Sequence, residues 1–237
     1  MSVTIGTLLL MGGKQARGAE WTADDAALWN TVVIAWELDA RRVPAHRTGT
    51  SFALQPGEIA FVGGPFALDE WRADGDGSYQ QSSTFAFGGP AFVAGALIGT
   101  AISNSRRRSN AQWAATPMWR PGFGGWVVVT NRGFHLSTDH ANLFWNWESI
   151  SQIDVVGRGQ IVMFGESTGG PVRWMVRTGW AELVFVLWAQ QQHPDHPQYR
   201  SRSWLHPAWP GWAAHMGHPL PDGVVQGGPS ADRSEIA

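Results

Sequence analysis

Residues Gly124–Leu136 read GGWVVVTNRGFHL, and this stretch decides the fold. Val127, Val128, Val129 and Thr130 form an uncharged, β-branched run that favours the half-buried backbone of a strand. Asn131 and Gly133 tolerate the positive φ that a tight hairpin needs. A second apolar run follows the turn at once, and Trp145, Trp147, Ile150 and Ile153 extend the pattern.

Working outward, turn residues at short intervals predict strands at Trp126–Thr130, Phe134–Ser137, Leu143–Asn146, Ile150–Val155, Gln160–Phe164 and Pro171–Arg177. Upstream, Leu54–Val62 reads as a turn feeding another strand. Asp74–Gly77 reads as a turn, and Ser78–Phe87 as polar and extended. Trp180–Gln192 carries the wide apolar stripe of a closing helix. A further helix is expected over residues 20–43. Thr22 and Asp25 have the spacing of a capping box there, and Leu28, Val32, Val33 and Trp36 share one face. Trp126, Trp145, Trp147, Trp174, Trp180 and Trp188 are expected in the core.

Composition narrows the class. The chain has 237 residues, is 43% hydrophobic and has a formal net charge of −2. No broad basic field draws it to nucleic acid. The absence of cysteine excludes disulfides, thiolate metal sites and cysteine nucleophiles, and suits a cytoplasmic location. Fifteen tryptophans stand against two tyrosines. Ile5–Met11 is apolar but lacks the basic flank of a secretory signal, so it reads as a strand or packing segment.

Leu54-x-x-Gly57-Glu58, then Val128-Val129-Thr130-Asn131-Arg132, then Trp147-x-x-Ile150-x-x-Ile153 and a terminal helix resemble the bacterial PH-like and GRAM-like superfamily. The resemblance spans roughly residues 53–192. It implies a mainly β (α+β) fold: a bent antiparallel barrel of about seven strands with a C-terminal helix plugging an open end. The implied division is an N-terminal helical extension over 1–52, the PH-like domain over 53–192, and a Pro/Trp-rich tail over 193–237 that is partly disordered. Trp204, Trp209 and Trp212 of that tail are expected to pack back on the domain or on a partner.

The departure from the family is an insert at about 85–112. Phe85–Ser103 carries no charge, and Ala91, Gly95, Gly99 and Ser103 recur every four residues to form one small-residue helix face. Arg106, Arg107 and Arg108 then stop the apolar run and are the membrane-proximal basic candidates. A single transmembrane span, soluble packing or self-association, and conditional bilayer contact all fit this stretch, with soluble packing or self-association preferred.

Catalytic patterns are missing. There is no nucleotide-binding glycine loop and no Gly-x-Ser-x-Gly elbow. His193-x-x-His196 with His206 is broken by prolines, and Asp74 with Asp76 lacks the rest of a calcium loop. His135 reads as a hydrogen-bonded packing residue. The expected role is a non-catalytic binding or scaffold protein, not an enzyme, with no cofactor and no metal. The resemblance implies an anionic phospholipid head group or a protein as ligand, with Arg132, Arg158, Arg173 and Arg177 as contacts. Arg173 and Arg177 are four apart, which places them on one face of a strand. The alternative is an oligomeric assembly or membrane-associated protein acting through the glycine-striped helix.

Overall fold

A computed structural model describes residues 20–75 and 109–221. The expectations for Ile5–Met11, for Ser78–Phe87, for the small-residue face of Ala91, Gly95, Gly99 and Ser103, for Arg106, Arg107 and Arg108, and for residues 222–237 lie outside the described residues. Among the described residues no helix is long and apolar enough to cross a membrane.

The frame is one seven-stranded antiparallel sheet in the order β4-β3-β2-β1-β7-β6-β5. Its strands are β1 (Ala60–Arg72), β2 (Met118–Thr130), β3 (Gly133–Ser137), β4 (Asn142–Asn146), β5 (Ile150–Gly157), β6 (Gln160–Ser167) and β7 (Gly170–Arg177). The barrel expected from the resemblance does not close by hydrogen bonds. β4 and β5 are the two edges, and a 3-10 turn at Trp147–Ser149 links them in sequence.

β1 and β2 run much further than sequence patterning predicts, at 13 residues each. Pro65, Pro121 and five glycines disguise them as turns. Two of those glycines are there for close approach. A Cβ on Gly63 would lie 2.9 Å from the Trp126 Nε1, and one on Gly64 would lie 2.7 Å from the Trp180 Nε1. Trp126 therefore lies beside Gly63 on the outer face and is 51% exposed, not in the core. The phase of the strand sets this outcome: Val127 is 1% exposed, so its neighbour Trp126 points the opposite way.

α2 (Ala181–Gln192) fills the interior against β3, β5 and β6. Every residue from Ala181 to Ala189 is buried, and all are apolar except Glu182, whose carboxylate accepts from the Gly159 N–H at 2.8 Å. Three tryptophans of this region are pinned as well as packed. The Nε1 of Trp188 donates to the Ile150 carbonyl at 3.0 Å, that of Trp180 to Gly63 at 3.0 Å, and that of Trp147 to Asn131 at 3.3 Å. Such pairing removes the cost of burying an indole N–H.

α1 (Ala23–Asp39) begins at the expected capping box. Asp25 N–H donates to Thr22 Oγ1 at 3.2 Å, and Thr22 N–H donates to the Asp25 carboxylate at 2.9 Å. The helix is buried on two sides. Ile34 and Ala35 join the main core, whereas Leu28 and Val32 pack on Trp209 and Ala213 of the tail. That tail contains α3 (Pro197–Ser201) and α4 (Trp209–His215). Trp212 stacks on Trp21 with centroids 5.4 Å apart, so these tail tryptophans do fold back.

Trp147 is 2% exposed and sits at the corner between the edge strands. Trp147→Ala is expected to cost about 3–5 kcal/mol, measured as the shift in urea unfolding free energy. A loss below about 1 kcal/mol would mean that the ring does not anchor this corner.

Candidate functional site

The two family-like motifs meet at the start of β1. Gly57 adopts φ +77° in the preceding turn. Asn131, in the β2–β3 turn, accepts from the Ile59 N–H through its side-chain oxygen at 2.8 Å and donates to the Gly57 carbonyl at 3.1 Å. The Arg132 guanidinium donates to Gln55 Oε1 at 3.2 Å and to the Pro56 carbonyl at 3.0 Å. These bonds staple the 55–59 loop to the hairpin.

Beneath the staple lies a carboxylate with no exposed side-chain surface, Glu58. It accepts from the Gln55 N–H at 2.9 Å and from Thr130 Oγ1 at 2.9 Å, and its Oε1 lies 2.8 Å from His135 Nε2. An ionised carboxylate only accepts, so Nε2 carries the proton. The imidazole lies between Phe52 and Phe144, at centroid distances of 4.8 and 4.5 Å. Burial alone would push the Glu58 pKa up. The hydrogen bonds from Gln55, His135 and Thr130 outweigh it and hold the carboxyl below the usual glutamate range. With no solvent-facing surface, the carboxylate acts as a strut and offers no atom to a substrate.

The four arginine candidates do not converge. Arg132 gives two of its donors to the staple and has no carboxylate partner among the described residues. Arg158, in the β5–β6 turn, pairs with Asp25 of α1. Arg177 forms a two-pronged bond to Asp69 at 2.5 and 2.8 Å, and that contact draws the Asp69 pKa down. Arg173, on the same outer face of β7, lies 4.8 Å from the ring centroids of both Trp71 and Phe164. His193 packs on Trp188, and His196 lies 3.4 Å from Asp154. Among the described residues no group of three or more His, Asp or Glu is placed to hold a metal ion.

Two cavities lined by described residues bear on function. A cleft of about 390 Å³ opens between α1, α2 and the tail, lined by Val32, Trp36, Val186, Trp204, Leu205 and Pro210, with Asp39, Arg202 and Ser203 at its polar side. A second pocket of about 250 Å³ is polar, and Gln55, Arg132, Phe144, Asn146, Glu148 and Gln191 contribute to it. Sequence reasoning reached Arg132 but missed the cleft. The signal available was the excess of tryptophan in both α1 and the tail, which shows that the two must meet without showing the gap between them. No family model, curated protein or solved structure matches the chain.

Because the folded Glu58 pKa is lowered, its contribution to stability is present above the unfolded value of about 4.3 and is lost as pH falls through the folded value. Glu58→Gln should cost about 1–3 kcal/mol at neutral pH. It should also flatten the acid limb of a urea-midpoint profile taken down to about pH 3. A variant whose acid limb is as steep as the parent's would remove Glu58 from the acid response.

Proposed function

We propose that the chain is a non-catalytic binding module of PH-like fold whose ligand is a protein partner, received in the tryptophan-lined cleft. The strand order supports the fold assignment: β1 to β4 lie in sequence on one side, β5 to β7 on the other, and the helix after β7 packs inside. The cleft carries the functional reading. Its 390 Å³ falls within the range of pre-formed ligand sites, and apolar walls with a few polar rim groups are their usual composition. Trp36, which carries the Arg42 guanidinium on one face at 3.9 Å, and Trp204 line it together with Pro207 and Pro210. Such a lining suits an aromatic or proline side chain presented by another protein. The head-group reading has less support, because Arg158 and Arg177 already neutralise carboxylates of the same chain.

Indole and N-acetylproline amide serve as probes of this cleft. Both should shift the indole Nε1 resonances of Trp36 and Trp204 in a nitrogen–proton correlation spectrum, with dissociation constants of about a millimolar, as suits fragments of that size. Ser203→Leu, which adds bulk to the cleft wall from an exposed position, should weaken both by about tenfold. Shifts confined to other tryptophans, or binding unaffected by Ser203→Leu, would remove the cleft as the seat.

A further inference from the structure

The two edges of the sheet are treated differently. On β5, the Val155 N–H donates to Gln198 Oε1 at 2.9 Å, and Gln198 Nε2 donates to the Val155 carbonyl at 2.8 Å. A side-chain amide from α3 thus stands where the next strand would be. Among the described residues the β4 edge has no such guard. Trp147 N–H donates to the Arg132 carbonyl at 3.2 Å and Thr138 N–H to the Ala141 carbonyl at 2.9 Å. Those two bonds fix the phase of the ladder: Leu143 and Trp145 bond to β3, and the main-chain groups of Asn142, Phe144 and Asn146 point away from it. The Asn146 carbonyl is taken by Ser149 Oγ at 3.0 Å. The three N–H groups and the carbonyls of Asn142 and Phe144 have no partner among the described residues.

The strand itself reads Asn-Leu-Phe-Trp-Asn, without the lysine, proline or bulge that usually protects an edge. Phe144 is 38% exposed and rests on His135, a ready cross-strand neighbour for an incoming side chain. At the Asn146 end the free edge runs into the 250 Å³ polar pocket, where Arg132 is the cation among the lining residues and Glu148 the anion.

We propose that β4 accepts an extended peptide of a partner protein as an added strand, with a β-branched or aromatic residue beside Phe144 and an acidic group against Arg132. Main-chain bonds would supply the attachment and the two side chains the selectivity. A single extended chain can run lengthwise into the pocket. The β4 of a second copy, Asn-Leu-Phe-Trp-Asn, carries no acid of its own to set against Arg132. This surface is separate from the cleft, so its fate does not decide that of the cleft.

The probe is a fluorescein-labelled hexapeptide of alternating threonine and valine ending in aspartate, compared with one ending in lysine. Anisotropy should show the aspartate peptide binding several-fold tighter. Amide deuterium exchange at Phe144 and Asn146 should slow about tenfold on binding, while Leu143 and Trp145 stay unchanged. Phe144→Pro removes an outward N–H and spares the bonds to β3, so it should fold and weaken binding about tenfold or more. Asn142→Pro serves the same purpose, and exchange in the unsubstituted chain decides the matter if neither variant folds. Absence of binding, unchanged exchange at Phe144, or full binding by both folded proline variants overturns the proposal. Slowed exchange that appears without peptide, together with a mass of two chains, overturns it in favour of a second copy.

Discussion

A buried carboxylate governs this end of the molecule. Ionised Glu58 is tolerable without water only because three donors converge on it, and they come from the preceding loop, the end of β2 and the middle of β3. Each donor is useless to the carboxylate until the other segments are in place. The loop therefore cannot lie over the hairpin loosely. Its position in turn fixes where β1 starts, and Asn131 repeats the constraint from the other side by bonding both Gly57 and Ile59. Arg132 is held in one pose by the same loop, and so is the pocket that it lines.

Much of this arrangement was legible in the residues. Thr22 and Asp25 marked the start of α1, and the turns at Asn131–Gly133 and Gly157–Gly159 separated strands where the structure has them. Gly159 adopts φ +66°, a conformation for which its lack of a side chain is suited. The long hairpin of β1 and β2 was not legible, because glycine and proline mark turns far more often than strands. Here Gly63 and Gly64 make room for two indole rings on opposite faces, a requirement set by Trp126 and Trp180, residues distant along the chain. Pattern reading sees each glycine without the ring that lies on it.

The candidate site shows the same division. The Gly57-Glu58 and Thr130-Asn131-Arg132 motifs meet in space, yet their polar atoms largely face one another. Sequence alone cannot separate an arginine that waits for a ligand from one that already has Asp25 or Asp69. Tryptophan density was the better guide. Trp21, Trp36, Trp204, Trp209 and Trp212 knit α1 to the tail, so the ends of the described chain form part of the packed body rather than appendages.

The amide of Gln198 on the β5 edge has a consequence in time. Val155 and Gln198 are 43 positions apart. A ribosome adding about 5–20 residues per second takes roughly 2–9 s to cover that interval. Throughout it the emerging β5 has no Gln198 to shield its main-chain groups, and neighbouring nascent copies on one messenger present the same bare edge to each other. The clamp closes only when the tail arrives, so a chain that stops after β7 but before Gln198 would carry the complete sheet with its β5 flank open to pairing.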